Sequence, residues 1–235
     1  MRDRGWRVLA GVRREGSAPE GTEEVLVDVT DPPTLDLSEL HGLVNNAGVA
    51  VAGPLEFLPP NELRRQLEVN VVGQLRMTQL SLPALRASSG RVVNMGSISG
   101  LNALPLLGAY AMSKFALEAM TDALRVELAP WGIHVAIVEP GTIKTPIWTR
   151  ERPQPPPEAL ELYGARIDAF RRLAVKRGTA GAPPESVADA VEHALMSEKP
   201  RTRYLVGRDA KLRARVERLP ARLRDRVIVR RVLGG

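Results

Sequence analysis

The sequence contains no cysteine, which excludes disulfides, thiolate metal sites and thiol nucleophiles. Histidine is scarce: His41, His134 and His193 stand far apart in ordinary apolar surroundings and suggest no metal site. No apolar run approaches the roughly 18 residues of a membrane-spanning helix. The charged start, Met-Arg-Asp-Arg-Gly-Trp, lacks the apolar region of a signal peptide. A cytoplasmic location is the expectation. Neither low hydrophobicity nor extreme charge dominates the 235 residues, which are 44% hydrophobic and 26% charged. One globular unit with a sizeable core is expected, rather than disorder.

What charge there is lies unevenly. Residues 208–235 hold ten Lys/Arg against three Asp/Glu, more than enough to account for the net +6 of the whole chain. The body, residues 1–207, is nearly neutral, and residues 208–235 form a basic tail. In that tail Leu212, Val216, Leu219, Leu223 and Val227 recur at helical spacing, interrupted by Pro220. Three readings stand: a surface helix docked on the body, peripheral contact with an anionic membrane, and nucleic-acid binding. The last is disfavoured, because no aromatic stacking platform accompanies the charge.

Short apolar runs at 7–12, 24–28, 42–44, 91–95, 133–138 and 203–206 read as strands. Between them, 60–87, a stretch from about Tyr110 to Leu128, and 185–196 read as helices, with a loop-and-helix excursion over 149–183. Alternating strands and helices indicate an α/β fold, a Rossmann-like, doubly wound parallel sheet in three layers. In such sheets ligands gather beyond the carboxyl ends of the strands. The polar residues fall there: Asp28, Asn45 to Gly48, Gly96-Ser97 and Pro140 to Thr145.

Tyr110 and Lys114 lie one turn apart on one helix face, with Ser97 thirteen residues upstream. A nearby ammonium favours a phenolate, and a phenol so tuned exchanges protons with an alcohol or carbonyl. Taken alone, the pair is equally an ordinary helix face. Asn70 sits on an inward stripe with Leu63, Leu67 and Leu75. There it is either a satisfied core amide or the cause of a kink.

Asn46-Ala47-Gly48 after a strand, Asn70, Ser97, Tyr110/Lys114 and Pro140-Gly141 with Thr145 together resemble the classical short-chain dehydrogenase/reductases. The general look is similar to their hydroxysteroid- and retinol-dehydrogenase-like members. The resemblance implies an oxidoreductase interconverting an alcohol and a ketone or aldehyde. It makes Tyr110 the general acid/base, Lys114 its pKa-lowering partner and ribose ligand, and Ser97 the holder of the substrate oxygen. Asn70 would hold a relay water. Asp28 and Val29 would meet the adenine, Asn46, Ala47 and Gly48 would let backbone approach the nucleotide, and Pro140, Gly141, Ile143 and Thr145 would border the nicotinamide. Where an acid would bond the 2′-hydroxyl of NAD, this sequence has Gly11, followed by Arg13 and Arg14. A guanidinium suits a 2′-phosphate, so NADP(H) is favoured over NAD(H). Apolar Leu101, Leu104, Leu107, Ile147 and Trp148, with Tyr163, suit a lipophilic substrate or are simply lid core. A homo-oligomer built through the long helices is the family's implication.

One part of the family pattern is missing. The opening strand, glycine-rich loop and first helix do not precede the first visible strand, a deficit of about 25–30 residues for such a unit. The stretch between Asp28 and Leu43 is also too short for a full crossover helix. The sheet is therefore expected to be truncated at its N-terminal side, with unpaired backbone on two strands. Either the functional chain is longer, or this is an inactive homologue serving as scaffold or partner subunit.

Overall fold

The computed structural model describes residues 5–32, 35–145 and 155–230. Strands β1 (Leu9–Val12), β2 (Glu23–Leu26), β3 (Gly42–Asn45), β4 (Arg91–Met95), β5 (His134–Pro140) and β6 (Arg203–Val206) follow the expected order. All pairings are parallel. They form two sheets, β1-β2 and β3-β4-β5-β6, with no hydrogen-bonded pairing between β1 and β3. That is the expected split, and no helix bridges β2 and β3 among the described residues. Val44 of β3 and Leu26 of β2 are left exposed, where a parallel sheet would normally cover such side chains.

The larger sheet lies between two helical layers. Strand alternation sends Val92 and Val135 toward α2 (Gly73–Ser88) and α3 (Gly108–Glu127), where they meet Leu85 and Leu124. The next residues, Val93 and Ala136, face the opposite way, against Ala194 and Leu195 of α5 (Glu185–Met196). Five of the seven residues of β5 are buried, as expected of a strand covered on both faces.

The long helix expected over 60–87 is not continuous. It consists of α1 (Pro60–Leu67), a π-helical turn at Glu68–Val72, and α2. The π turn falls on Asn70, so this residue is both a satisfied amide and the site of a helical irregularity. The excursion after β5 contains α4 (Pro157–Ala180).

The tail forms α6 (Arg208–Val216) and α7 (Ala221–Ile228), separated at Pro220 as the sequence indicates. Val216 and Val227 turn inward, while Leu219 and Leu223 stay exposed, so only part of the predicted stripe is docked. Among the described residues no helix is long and apolar enough to cross a membrane.

Candidate active site

β4 delivers the serine. Beyond its end, Ser97 is extended and caps a short turn, Ile98–Gly100, with its Oγ accepting from the Ser99 amide at 3.1 Å. This turn is seated on α3. A Cβ on Gly100 would lie 2.9 Å from the Lys114 carbonyl oxygen and 3.1 Å from Glu118 Oε1. Glycine is what permits that approach.

α3 turns Ala111, Lys114, Leu117, Thr121 and Leu124 inward at spacings of three and four, so its lysine is buried among apolar neighbours. Lys114 Nζ donates to the Met95 carbonyl at 2.6 Å and lies 5.8 Å from the centroid of the Tyr110 ring. Ser97 lies close enough to the Tyr110 phenol to favour its ionisation. The structure thus brings Ser97, Tyr110 and Lys114 into one cluster.

The electrostatics differ from expectation. Burial raises the Tyr110 pKa above the usual phenol value, and Ser97 and the Arg213 charge only partly oppose it. A phenol lowered by Lys114 is the sequence-based expectation, and it is corrected here. Desolvation of the hydroxyl dominates. Lys114 itself is lowered to about 8 by burial, with Glu118 pulling the other way.

Asn70 is fully buried. Its Oδ1 accepts from the Val49 amide at 2.8 Å, and its Nδ2 donates to the Val49 carbonyl and to Ser113 Oγ, both at 3.0 Å. Its side chain is therefore spent on protein partners. Gln66 and Gln74, four residues to either side, do similar work. Gln66 accepts from the Val51 amide at 2.7 Å and Gln74 donates to the Ala47 carbonyl at 3.0 Å. Three amides on one helical face thus pin the loop Ala47–Val51, leaving Asn46, Ala47 and Gly48 exposed beyond β3. A Cβ on Gly48 would stand 3.4 Å from Asn70 Oδ1, a tight but tolerable contact within the chain itself.

Arg13, after β1, is exposed and close enough to Asp28 to help hold that carboxyl below its usual range. The larger causes are bonds to Asp28 Oδ1 from the Thr30 amide at 2.9 Å and the Thr30 hydroxyl at 2.7 Å. Val29 packs beneath Gly73, whose Cβ would fall 2.7 Å from Val29 Cγ2. Beyond β5, Gly141 approaches Asp209 of α6 so closely that a Cβ would lie 2.1 Å from its Oδ1. Asp209 Oδ2 accepts from the Thr142 amide at 2.7 Å and the Thr142 hydroxyl at 2.9 Å. Ile143 bridges to Ala182 and points into the core, so only its backbone faces the strand ends. Pro140 and Thr145 are half-buried.

A guanidinium and a carboxylate flank one end of this row, and a buried ammonium and a close-packed glycine loop mark the other.

Beside the loop Gly141–Thr142 lies a cavity of about 520 Å³, walled by Leu104, Ala182, Leu212, Val216, Val227 and Ile228 among others. Leu104 and Leu107 join Phe170 and Ile167 of α4 in a cluster that also contacts Tyr110 and Tyr163. Leu101 is half-buried nearby, whereas Ile147 and Trp148 lie outside the described residues.

Residues 22–156 match the family model described as short chain dehydrogenase. The chain is 34% identical over 248 residues to an NADPH-dependent 3-dehydrocapnine reductase of Ornithobacterium rhinotracheale, covering 95% of this chain and 88% of that relative. It is 37% identical to retinol dehydrogenase 5 of Mus musculus, covering 96% and 80%. A solved short chain dehydrogenase of Burkholderia cenocepacia, in complex with NADP, superposes with a TM-score of 0.71 at 26% identity, covering 97% of this chain and 86% of that one.

The chain belongs to the short-chain dehydrogenase family. As a short-chain dehydrogenase it is an oxidoreductase acting on CH–OH groups, with the family's Rossmann-like fold. Sequence reasoning missed several residues that shape this dehydrogenase's site. Arg213 donates to the Asn102 carbonyl at 2.7 Å, and Asn102 Nδ2 donates to Glu217 at 2.9 Å, tying α6 to the loop after Ser97. With Asp209 on Thr142, α6 is clamped to both active-site loops. The one available signal was acidic: Asp209 and Glu217 are two of only three acids in the basic tail.

Proposed function

We propose that this short-chain dehydrogenase interconverts a lipophilic alcohol and its ketone or aldehyde with NADP(H), using Tyr110 as the general acid/base. The observation that carries this reading is the convergence of Ser97, Tyr110 and Lys114 beyond the end of β4, with the Lys114 ammonium 5.8 Å from the Tyr110 ring centroid and Ser97 acting on the Tyr110 phenol. A substrate oxygen entering between the two hydroxyls would accept a hydrogen bond from each. Tyr110 Oη would give its proton to that oxygen in reduction, and Ser97 would hold the oxygen in place. The raised phenol pKa keeps Tyr110 protonated at neutral pH, the form that reduction requires. The Lys114 ammonium would then favour the phenolate left behind. Bound nucleotide supplies the hydride.

Arg13 would hold the 2′-phosphate and Asp28 with Val29 the adenine end. Asn46, Ala47 and Gly48 would offer backbone in between. Lys114 would take the ribose, and Pro140, Gly141, Ile143 and Thr145 would border the nicotinamide. Because the Asn70 side chain is committed to Val49 and Ser113, any water it holds sits on its main chain. The apolar cluster of Leu104, Leu107, Ile167 and Phe170 against Tyr110 supports a lipophilic substrate, and the NADPH-dependent reductase of Ornithobacterium rhinotracheale supports the cofactor choice. Exposed Leu80, Met112 and Phe115 on α2 and α3 support a homo-oligomer through those helices. Residues 1–207 form the dehydrogenase body, and the tail 208–235 is its clamp, with peripheral membrane contact open to its exposed Leu219, Leu223 and arginines.

The lack of a crossover helix between β2 and β3 among the described residues favours a second reading, a partner subunit without turnover. Nucleotide titration by fluorescence, together with turnover of lipophilic carbonyls, separates the two. For the dehydrogenase, Arg13→Ala should weaken NADPH binding by about tenfold to a hundredfold, the worth of a charge-assisted bond, and leave NADH nearly unchanged. Equal losses for both nucleotides would remove Arg13 from the 2′-phosphate. Absence of turnover would favour the partner-subunit reading.

A further inference from the structure

Two acids are buried beneath the active site, and the proton transfer described above uses neither. Glu118 is on α3, one turn beyond Lys114, and Glu139 is fully buried in β5, just before Pro140-Gly141. Both reach the same guanidinium. Arg203 of β6 places one terminal nitrogen 2.8 Å from Glu118 Oε2 and the other 2.6 Å from Glu139 Oε2. The register explains the meeting. Arg203 pairs with Ile137, two residues before Glu139 and on the same sheet face, which is the face α3 covers.

We propose that Glu118, Glu139 and Arg203 form a buried proton-sharing unit that positions the serine turn, Lys114 and the Pro140 loop, and keeps Lys114 charged. The positioning role rests on the catalytic reading of Ser97 and Lys114, while the shared proton stands without it. Two carboxylates on one guanidinium would leave a net negative charge out of water, which is costly. One proton held between the carboxyls makes the unit neutral. The proton belongs to the pair. Burial first, and Glu118 next, raise Glu139 to about 8, and Glu118 is also raised. The other charged groups facing the unit are Lys114 and Asp122, both on α3; the serine turn contributes none.

The unit touches three catalytic segments. Glu118 lies under the serine turn at Gly100, raises Lys114 against its burial, and Glu139 leads directly into the loop after β5. It is a set of positioning residues, not a ligand site.

The test is urea unfolding of the parent and Glu139→Gln across pH 5 to 8, a readout that needs no cofactor. A carboxyl raised on folding stabilises the folded state below its ordinary range, and that contribution is lost as pH rises toward about 8. The parent's unfolding constant, relative to that of Glu139→Gln, should therefore rise about tenfold per pH unit over that window. Parallel profiles would overturn the shared proton.

Should Glu139→Gln not fold, carbon-13 spectra of the parent's glutamate carboxyls decide instead. One carboxyl titrating near 8 is expected, and all titrating in the ordinary range overturns the proposal. The positioning role is read at Lys114, one of five lysines, by NMR of its side chain. Glu118→Gln should move the Lys114 titration to lower pH, and an unmoved titration would overturn that role. Neither measurement depends on turnover, so failure of the catalytic reading would be seen separately.

Discussion

Tyr110→Phe should leave the fold intact and lower the carbonyl reduction rate by about 10²- to 10⁴-fold, the usual contribution of a positioned general acid. Only the hydroxyl is removed. The ring keeps its packing against the cluster of Leu104, Leu107 and Phe170, so urea unfolding should change little. The lost group is the phenol beside Ser97, and the other phenol of that cluster, Tyr163, donates its hydroxyl to Glu56 instead. In the parent, reduction should weaken as pH rises through about 8, because Lys114 loses its charge there and no longer favours the phenolate. A rate within tenfold of the parent would show that Tyr110 is not the acid.

Asn70→Ala should cost about 2–3 kcal/mol of stability, the penalty of buried polar groups left unsatisfied. The Val49 amide loses its acceptor and Ser113 loses a donor. The Val49 carbonyl is spared, because Gln66 also donates to it. The same change frees one of three pins on the loop Ala47–Val51, so nucleotide affinity should fall together with stability. Urea unfolding and a fluorescence titration read the two effects. Stability within about 0.5 kcal/mol of the parent would mean that the loop is held by Gln66 and Gln74 alone, since surface-like substitutions fall in that range.

The strands and their order were legible because each is a short apolar run closed by polar or glycine residues, and parallel pairing follows from the alternation with helices. The split between β1 and β3 was legible only through the family resemblance, whose pattern places a strand between them that the sequence lacks. The break at Asn70 was visible only as an amide on an apolar stripe; periodicity cannot register a π turn of five residues. The proton cluster was legible through Tyr110, Lys114 and Ser97. Its electrostatics were not, because the direction of the Tyr110 shift is set by how deeply the folded chain buries the hydroxyl. The clamp of Asp209, Arg213 and Glu217 joins residues more than sixty positions from their partners, and no local pattern announces such contacts. Glu118 and Glu139 were hidden similarly, as single acids inside an apolar helix face and an apolar strand.

The central claim is that this chain places a carbonyl carbon against a bound nicotinamide while Tyr110 supplies the proton. The most direct measurement is transfer of deuterium from NADPH deuterated at the nicotinamide C4 to a lipophilic ketone or aldehyde, followed by mass spectrometry of the alcohol. The account predicts that the parent puts the label on the carbinol carbon and that Tyr110→Phe forms scarcely any labelled product. A parent chain that binds NADPH yet delivers no label would contradict it.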